Sequence, residues 1–193
     1  MTRPFKFAVA GTHSTGKSTF VAALKARLQA EGLVVTDVHD SAADAHAEGF
    51  PILADHTFES TAWLIAQAIR LETKASLSAA AIIVDRPVPD ALGYMLAALR
   101  HQQRDLEPGR YKRLESLCRA WVGEYDLLFV TKLDLSVPIG SGRPDDEQFR
   151  IKASQAIVEI LSDMRPDAIP LLYGGSENAI ERCVRYVREL RRD

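Results

Sequence analysis

Apolar residues alternate along this chain between short continuous runs and longer stretches at helical spacing. The first run, Phe5–Ala10, predicts a strand that stops at Gly11. From Lys17 onward Phe20, Val21, Leu24 and Leu28 recur at the spacing of one helix face, and Gly32 suits the residue just past that helix. Leu33–Val38 predicts a second strand, followed by an Ala-rich stretch and a loop at Gly49-Phe50-Pro51. A long helix is expected over about Thr57–Ser78, with Trp63, Leu64, Ala68, Leu71 and Ala75 on one side. Ala81–Val84 is apolar throughout, as in a strand buried on both faces of a parallel sheet. Helices are expected at Asp90–His101 and Arg110–Trp121, strands at Asp126–Val130 and Ile169–Tyr173, and a last helix at Ser176–Arg191.

Strands alternating with helices imply an α/β fold, a five-stranded parallel sheet with helices on both faces. The length of 193 residues suits one domain. Residues 134–146 form the only long stretch rich in turn formers, and a mobile loop is expected there. Charge adds a restriction: 24 Lys and Arg against 26 Asp and Glu leave a net −2, so no basic field draws the chain to nucleic acid. No uncharged apolar run reaches membrane-spanning length, and the N-terminus lacks a secretory apolar region. Cys118 and Cys183 stand 65 residues apart outside any metal-binding spacing, which suits reduced thiols and a cytoplasmic protein.

The candidate chemistry begins at the first strand's end. Gly11-Thr12-His13-Ser14-Thr15-Gly16-Lys17-Ser18-Thr19 fulfils G-x-x-x-x-G-K-[ST] between a predicted strand and a predicted helix. The glycines allow successive N–H groups to turn inward around phosphates, and the helix start adds its positive dipole end. Lys17 supplies a point charge for the β- and γ-phosphates, and the Ser18 hydroxyl can join a magnesium shell. Asp85, at the tip of the strand Ala81–Val84, is a second candidate for magnesium, and Arg86 beside it for a phosphate or an acceptor.

This phosphate loop, followed by Val84-Asp85-Arg86-Pro87-Val88-Pro89-Asp90-Ala91-Leu92-Gly93-Tyr94, resembles the P-loop kinase family that includes bacterial ribosylnicotinamide kinase domains. Thymidylate and deoxynucleoside kinases are more distant relatives. The resemblance implies the P-loop nucleoside-triphosphate hydrolase fold, with ATP and Mg²⁺ as cofactors and transfer of the γ-phosphate to a small, nucleoside-like hydroxylated acceptor. It implies that Asp40, after the second strand, orients the attacking hydroxyl, with Asp37 and Asp44 as neighbouring alternatives. It also implies a lid over residues 136–150 bringing Arg143 to the transferred phosphate and Arg150 to the nucleotide. Gln67 resembles a base-contacting glutamine, and Gly174-Gly175-Ser176 could approach the adenine edge or simply cap a helix. One departure is Ala43, where relatives often carry an arginine.

Between Arg27 and Arg70 there is no Lys or Arg, while Glu31, Asp37, Asp40, Asp44, Glu48, Asp55 and Glu59 are acidic. A wall of that sign would repel an acceptor phosphate and favour a neutral or cationic acceptor, unless Arg86 or Arg104 offset it. Thr131-Lys132-Leu133-Asp134 looks like the guanine-reading motif of GTPases, but Asp85-Arg86-Pro87-Val88 lacks the glycine of their switch. His39, His46, His56 and His101 show no metal-ligand spacing and read as surface or loop residues. Two alternatives stand beside the nucleoside kinase: a monophosphate kinase of the thymidylate type, and a regulatory NTPase switch.

Overall fold

The computed structural model describes residues 3–137 and 146–191. Five strands, β1 (Phe5–Ala10), β2 (Val35–Val38), β3 (Ala81–Asp85), β4 (Leu127–Thr131) and β5 (Ile169–Leu171), form one sheet in the order β2-β3-β1-β4-β5. Every neighbouring pair is parallel. The helices are α1 (Lys17–Ala30), α2 (Ala42–Ala47), α3 (Phe58–Ala75), α4 (Val88–Gln102), α5 (Pro108–Val122), α6 (Glu147–Met164) and α7 (Ser176–Leu190), and a 3₁₀ turn spans Leu53–Asp55. The five strands match the sequence reading to within two residues at each end; β3 and β4 each run one residue further, to Asp85 and Thr131, and β4 begins at Leu127 rather than Asp126. β2 begins at Val35 rather than Leu33, and β5 stops at Leu171, leaving Leu172 and Tyr173 exposed.

Alternation along β1 sorts the core into two sides. Phe7 and Val9 pack with Phe20, Leu24 and Leu28 of α1 and with Val184 and Val187 of α7. Ala8 and Ala10 face Tyr94, Ala97 and Ala98 of α4 and Ala153, Ala156 and Ile157 of α6. A third cluster joins α3, α4 and α5 through Ile65, Leu92, Met95, Leu114 and Cys118. Lys6 is charged but points to the apolar side, and there its Nζ meets Glu72 Oε2 of α3 at 3.0 Å. Trp121 Nε1 and the Tyr125 hydroxyl donate to the same carboxylate at 2.8 and 2.9 Å, so the buried pair is hydrogen-bonded on several sides.

α6 is an element the periodicity did not announce. Its buried positions are Phe149, Arg150, Ala153, Ala156, Ile157, Ile160 and Leu161, a stripe made inconspicuous by alanines and a buried arginine. Asp146 caps it, Oδ1 accepting from the Phe149 amide at 2.8 Å. The expected lid over 136–150 is therefore corrected at its far end: residues 147–150 are the first turn of a packed helix. α4 and α6 approach closely because position 93 is glycine. A Cβ there would stand 2.6 Å from Ile157 Cγ1.

Candidate active site

β1, between β3 and β4, is where the strand order changes direction, and the carboxyl ends of such strands form a ligand crevice. Gly11 follows β1 with φ +134, and a Cβ on it would lie 1.9 Å from Thr131 Oγ1. Thr131, at the end of β4, donates to the Ala10 carbonyl at 3.1 Å and lies 2.8 Å from Thr15 Oγ1. Ser14 (φ 54) and Gly16 (φ 84) turn the loop into α1. The N-terminus of α1 has no side-chain cap and no acid in its first turn, leaving its amides and dipole for an anion. Thr12 and His13 are buried within the loop.

Lys17 is only 6% exposed and its Nζ donates to the Thr12 carbonyl at 2.5 Å. Burial, together with the Arg86 charge, brings its pKa down to about 7, while Asp85, Asp90 and Asp40 pull the other way. Bound phosphates would restore its full charge. At the tip of β3, Asp85 Oδ2 accepts from Ser18 Oγ at 3.3 Å. Asp85 Oδ1 is buried and has no hydrogen-bond partner among the described residues. Two hard oxygens beside a phosphate cradle suit Mg²⁺, which takes one or two protein ligands with phosphates and water. The oxygens of Ser18 and Asp85 are chemically compatible with such an ion.

Arg86 occupies a left-handed conformation (φ 67) with its amide bonded to the Val9 carbonyl. Its Nε donates to Asp40 Oδ2 at 2.5 Å and its Nη1 to the Gly11 carbonyl at 3.2 Å. The guanidinium also lies 4.8 Å from the centre of the Tyr94 ring. Asp40 Oδ1 accepts from the Ala42 amide at 2.9 Å. Burial opposes the charge on Asp40, but Arg86 and the Ala42 amide hold its pKa below the ordinary carboxylate value. Of the three acids proposed for the acceptor side, Asp40 faces the cleft while Asp37 pairs with Lys25 and Asp44 lies 3.9 Å from His39.

A cleft of about 500 Å³ opens over this arrangement. The phosphate loop from His13 to Thr19 lines it, with Asp40, Asp85 and Arg86 on one side and Tyr173 at its edge. The acidic wall expected from the sequence does not form. Glu31 pairs with Arg188, Glu59 with Arg110, Asp55 accepts from Gln102, and Glu48 from Trp63. These acids are engaged by different partners, and Asp40 is the one acid of that stretch that lines the cleft among the described residues, beside His39. Lys17 and Arg86 are the lysine and arginine lining it among the described residues.

Arg150 sits in α6 rather than on a loop, 1% exposed, donating from Nε to the His13 carbonyl at 3.3 Å and from Nη2 to the Ser14 carbonyl at 3.0 Å. It braces the phosphate loop from behind. Arg143 lies outside the described residues. Gln67 accepts from Arg70 Nε, and Arg104 donates to the Ala54 and His56 carbonyls. Asp134 is engaged by Ser136 in its own turn, unlike a residue poised to read a base.

Two residues escaped the sequence reading. Asp90 is buried, its Oδ2 accepting from the Gly11 amide at 3.0 Å, so Asp90 and Arg86 hold the N–H and the C=O of one glycine. Burial raises its pKa to about 7 against the pull of Arg86 and Lys17. The signal was available, since Asp90 is an acid early in a helix whose neighbours are apolar. His56, read as a surface or loop residue, does lie in the loop before α3 but is only 3% exposed, with its ring against Tyr94. Only the three-dimensional approach of α4 could show that.

Comparison with solved structures finds the same fold at low identity. The NadR protein in complex with NR aligns with a TM-score of 0.64 and 16% identity over 88% of this chain and 45% of that one. This chain thus spans about half the length of the NadR proteins it matches. Deoxyadenosine kinase from M. mycoides with bound dATP aligns at 0.62 and 15% identity over 98% of this chain and all of its own. Thymidylate kinase from Candida albicans aligns at 0.65 and 16%, covering 98% and 93%. A search among curated proteins finds no match. The chain's phosphate loop, its β2-β3-β1-β4-β5 sheet and a family match over residues 6–178 together show that it belongs to the AAA domain family and has the P-loop nucleoside-triphosphate hydrolase fold.

Proposed function

We propose that this chain is an ATP- and magnesium-dependent kinase that transfers the γ-phosphate to a hydroxyl of a nucleoside-like acceptor. The observation that carries the reading is Asp40, held at the cleft beside the phosphate loop by its 2.5 Å bond from Arg86. Solved structures described as deoxyadenosine kinase and thymidylate kinase share the fold, which is consistent with the reading.

The loop amides and Lys17 bind the β- and γ-phosphates, with the α1 terminus adding its dipole. Ser18 and Asp85 would hold Mg²⁺, which when bound neutralises charge on the phosphate oxygens. Asp40 accepts the hydrogen bond of the attacking hydroxyl and turns its lone pair toward phosphorus. As the new O–P bond forms, the bond from the γ-phosphorus to the bridging oxygen breaks and ADP leaves. The hydroxyl proton passes to Asp40. A carboxylate kept at low pKa is a weak base, which suits a loose transition state in which positioning matters more than early proton removal.

A neutral acceptor follows from the cationic groups present. Asp40 already offsets the charge of Arg86, the arginine that lines the cleft among the described residues, and Arg104 is absent from that lining, so no unpaired arginine faces a second phosphate there. Incubation with ATP, Mg²⁺ and paired nucleosides and 5′-monophosphates, with ADP and product mass measured, tests this. Nucleosides should be phosphorylated in preference. Preference for monophosphates would favour the thymidylate type of kinase, and ATP hydrolysis indifferent to every acceptor would favour a switch.

A further inference from the structure

The turn that enters α4 carries both residues that hold Gly11, Arg86 and Asp90, and it is short of backbone donors. Pro87 stands at the N-cap, where it offers neither a capping side chain nor an N–H, and Pro89 has no N–H either. The Asp90 amide closes on the Pro87 carbonyl at 2.8 Å. Val88, the first helical residue, must therefore find a partner for its amide outside the helix. The Tyr125 hydroxyl, from the loop between α5 and β4, accepts from it at 3.1 Å. An acid in the first turn of a helix is well placed to meet the exposed amides there. Here Asp90 turns away to the Gly11 amide, and a tyrosine 37 positions distant takes over the capping.

Tyr125 is itself held firmly. It is buried, and its hydroxyl donates to Glu72 Oε1 at 2.9 Å, which leaves the oxygen lone pairs to Val88. Glu72 is buried too, and its other oxygen accepts from Lys6 Nζ at 3.0 Å and Trp121 Nε1 at 2.8 Å. Burial and the neighbouring Glu72 charge hold the Tyr125 pKa well above its ordinary value, so the hydroxyl keeps its hydrogen. Arg86 has its own anchors, the Val9 carbonyl and Asp40. Asp90 has fewer. Its Oδ2 takes the Gly11 amide with Arg86 Nη1 standing off at 3.9 Å, and its Oδ1 has no hydrogen-bond partner among the described residues. Where that carboxylate falls thus depends on where α4 begins.

We propose that Tyr125 is a positioning residue for the phosphate loop. By capping α4 at Val88 it sets the place of Asp90, and Asp90 in turn sets the Gly11 amide at the entry to the loop. A loop already in shape when ATP arrives loses less of the binding energy to ordering. The inference rests on the kinase reading in taking ATP as the ligand of the loop. It adds a buried residue outside the cleft to the parts that determine ATP affinity.

Tyr125→Phe keeps the ring and removes the hydroxyl. The test measures the melting temperature and the Kd for ATP with Mg²⁺ in the parent, Tyr125→Phe, Asp90→Ala and their double variant. Trp121→Phe serves as a control, since it loses a bond to the same carboxylate but none to α4. Tyr125→Phe should weaken ATP binding about three- to tenfold, the range of one hydrogen bond. Trp121→Phe should melt lower with its ATP Kd within about twofold of the parent. In the Asp90→Ala background, Tyr125→Phe should add less than about twofold, because its effect runs through Asp90. A tyrosine that served core stability alone would lower the melting temperature and leave the Kd of the folded protein unchanged. That result, or an equal loss in both backgrounds, would overturn the proposal. Amide exchange in the parent gives a reading that needs no variant: the Val88 and Gly11 amides should both exchange slowly, and a fast Gly11 amide would break the link through Asp90. A parent chain that binds no ATP would overturn the kinase reading itself, and the proposal with it.

Discussion

Gly11 and Lys17 are both part of the phosphate loop, yet their replacement should fail in different ways. Lys17 contributes charge toward the cleft, so Lys17→Ala should fold normally and lose turnover by several orders of magnitude. Gly11 contributes backbone: its φ of +134 and the 1.9 Å approach of Thr131 Oγ1 exclude a side chain. Gly11→Ala should therefore lose ATP affinity and thermal stability together, read by calorimetry and a melting curve. Equal stability of the two variants would contradict the packing of Thr131 on the loop. The glycine and the lysine were legible in the sequence because spacing alone defines the motif. Asp90 stood out only as an acid early in an apolar helix, and neither its partner nor that of His56 was legible, because the Gly11 amide and the Tyr94 ring are 79 and 38 positions distant and are met only through α4.

At the scale of elements, α4 and α6 act as a brace. α4 delivers Asp90 to the Gly11 amide, α6 delivers Arg150 to the His13 and Ser14 carbonyls, and the two helices touch at Gly93 and Ile157. Gly93→Ala places a Cβ 2.6 Å from Ile157 Cγ1 and 3.0 Å from its Cα, a clash that a rotamer change cannot fully relieve. A loss of about 1–3 kcal/mol in urea unfolding is expected, with ATP affinity falling as the brace loosens. Unchanged stability would mean the helices separate freely. The sequence discloses the strands well, since continuous apolar runs such as Ala81–Val84 have few other homes than a buried parallel sheet. It discloses α6 less well, because two alanines and an arginine interrupt the buried stripe of Phe149, Ile157, Ile160 and Leu161. The acid-rich stretch misled for a related reason. Composition gives sign, but β2, α2 and α3 disperse those carboxylates to different partners.

For the molecule as a whole, the buried neutral His56 links stability to pH. Its pKa is about 4 when folded against an ordinary 6.5, so the unfolded chain binds the extra proton as pH falls below about 6.5. The contribution is constant above that value, declines as pH falls, and levels off below about 4. His56→Asn should remove this contribution, so the parent-minus-variant difference in unfolding free energy should rise with pH between about 4 and 6.5, over and above the opposite slope that Asp90 supplies. A difference independent of pH would show that the ring is not buried neutral. The central claim concerns where the phosphate goes. The most direct measurement is a single turnover with ATP labelled in the γ-phosphate, Mg²⁺ and a nucleoside, comparing the parent chain with Asp40→Asn. The account predicts label in a nucleoside monophosphate for the parent, and a rate at least about a hundredfold lower in the variant with ATP binding intact. Label recovered only as inorganic phosphate, at a rate indifferent to nucleoside and to Asp40, would contradict it.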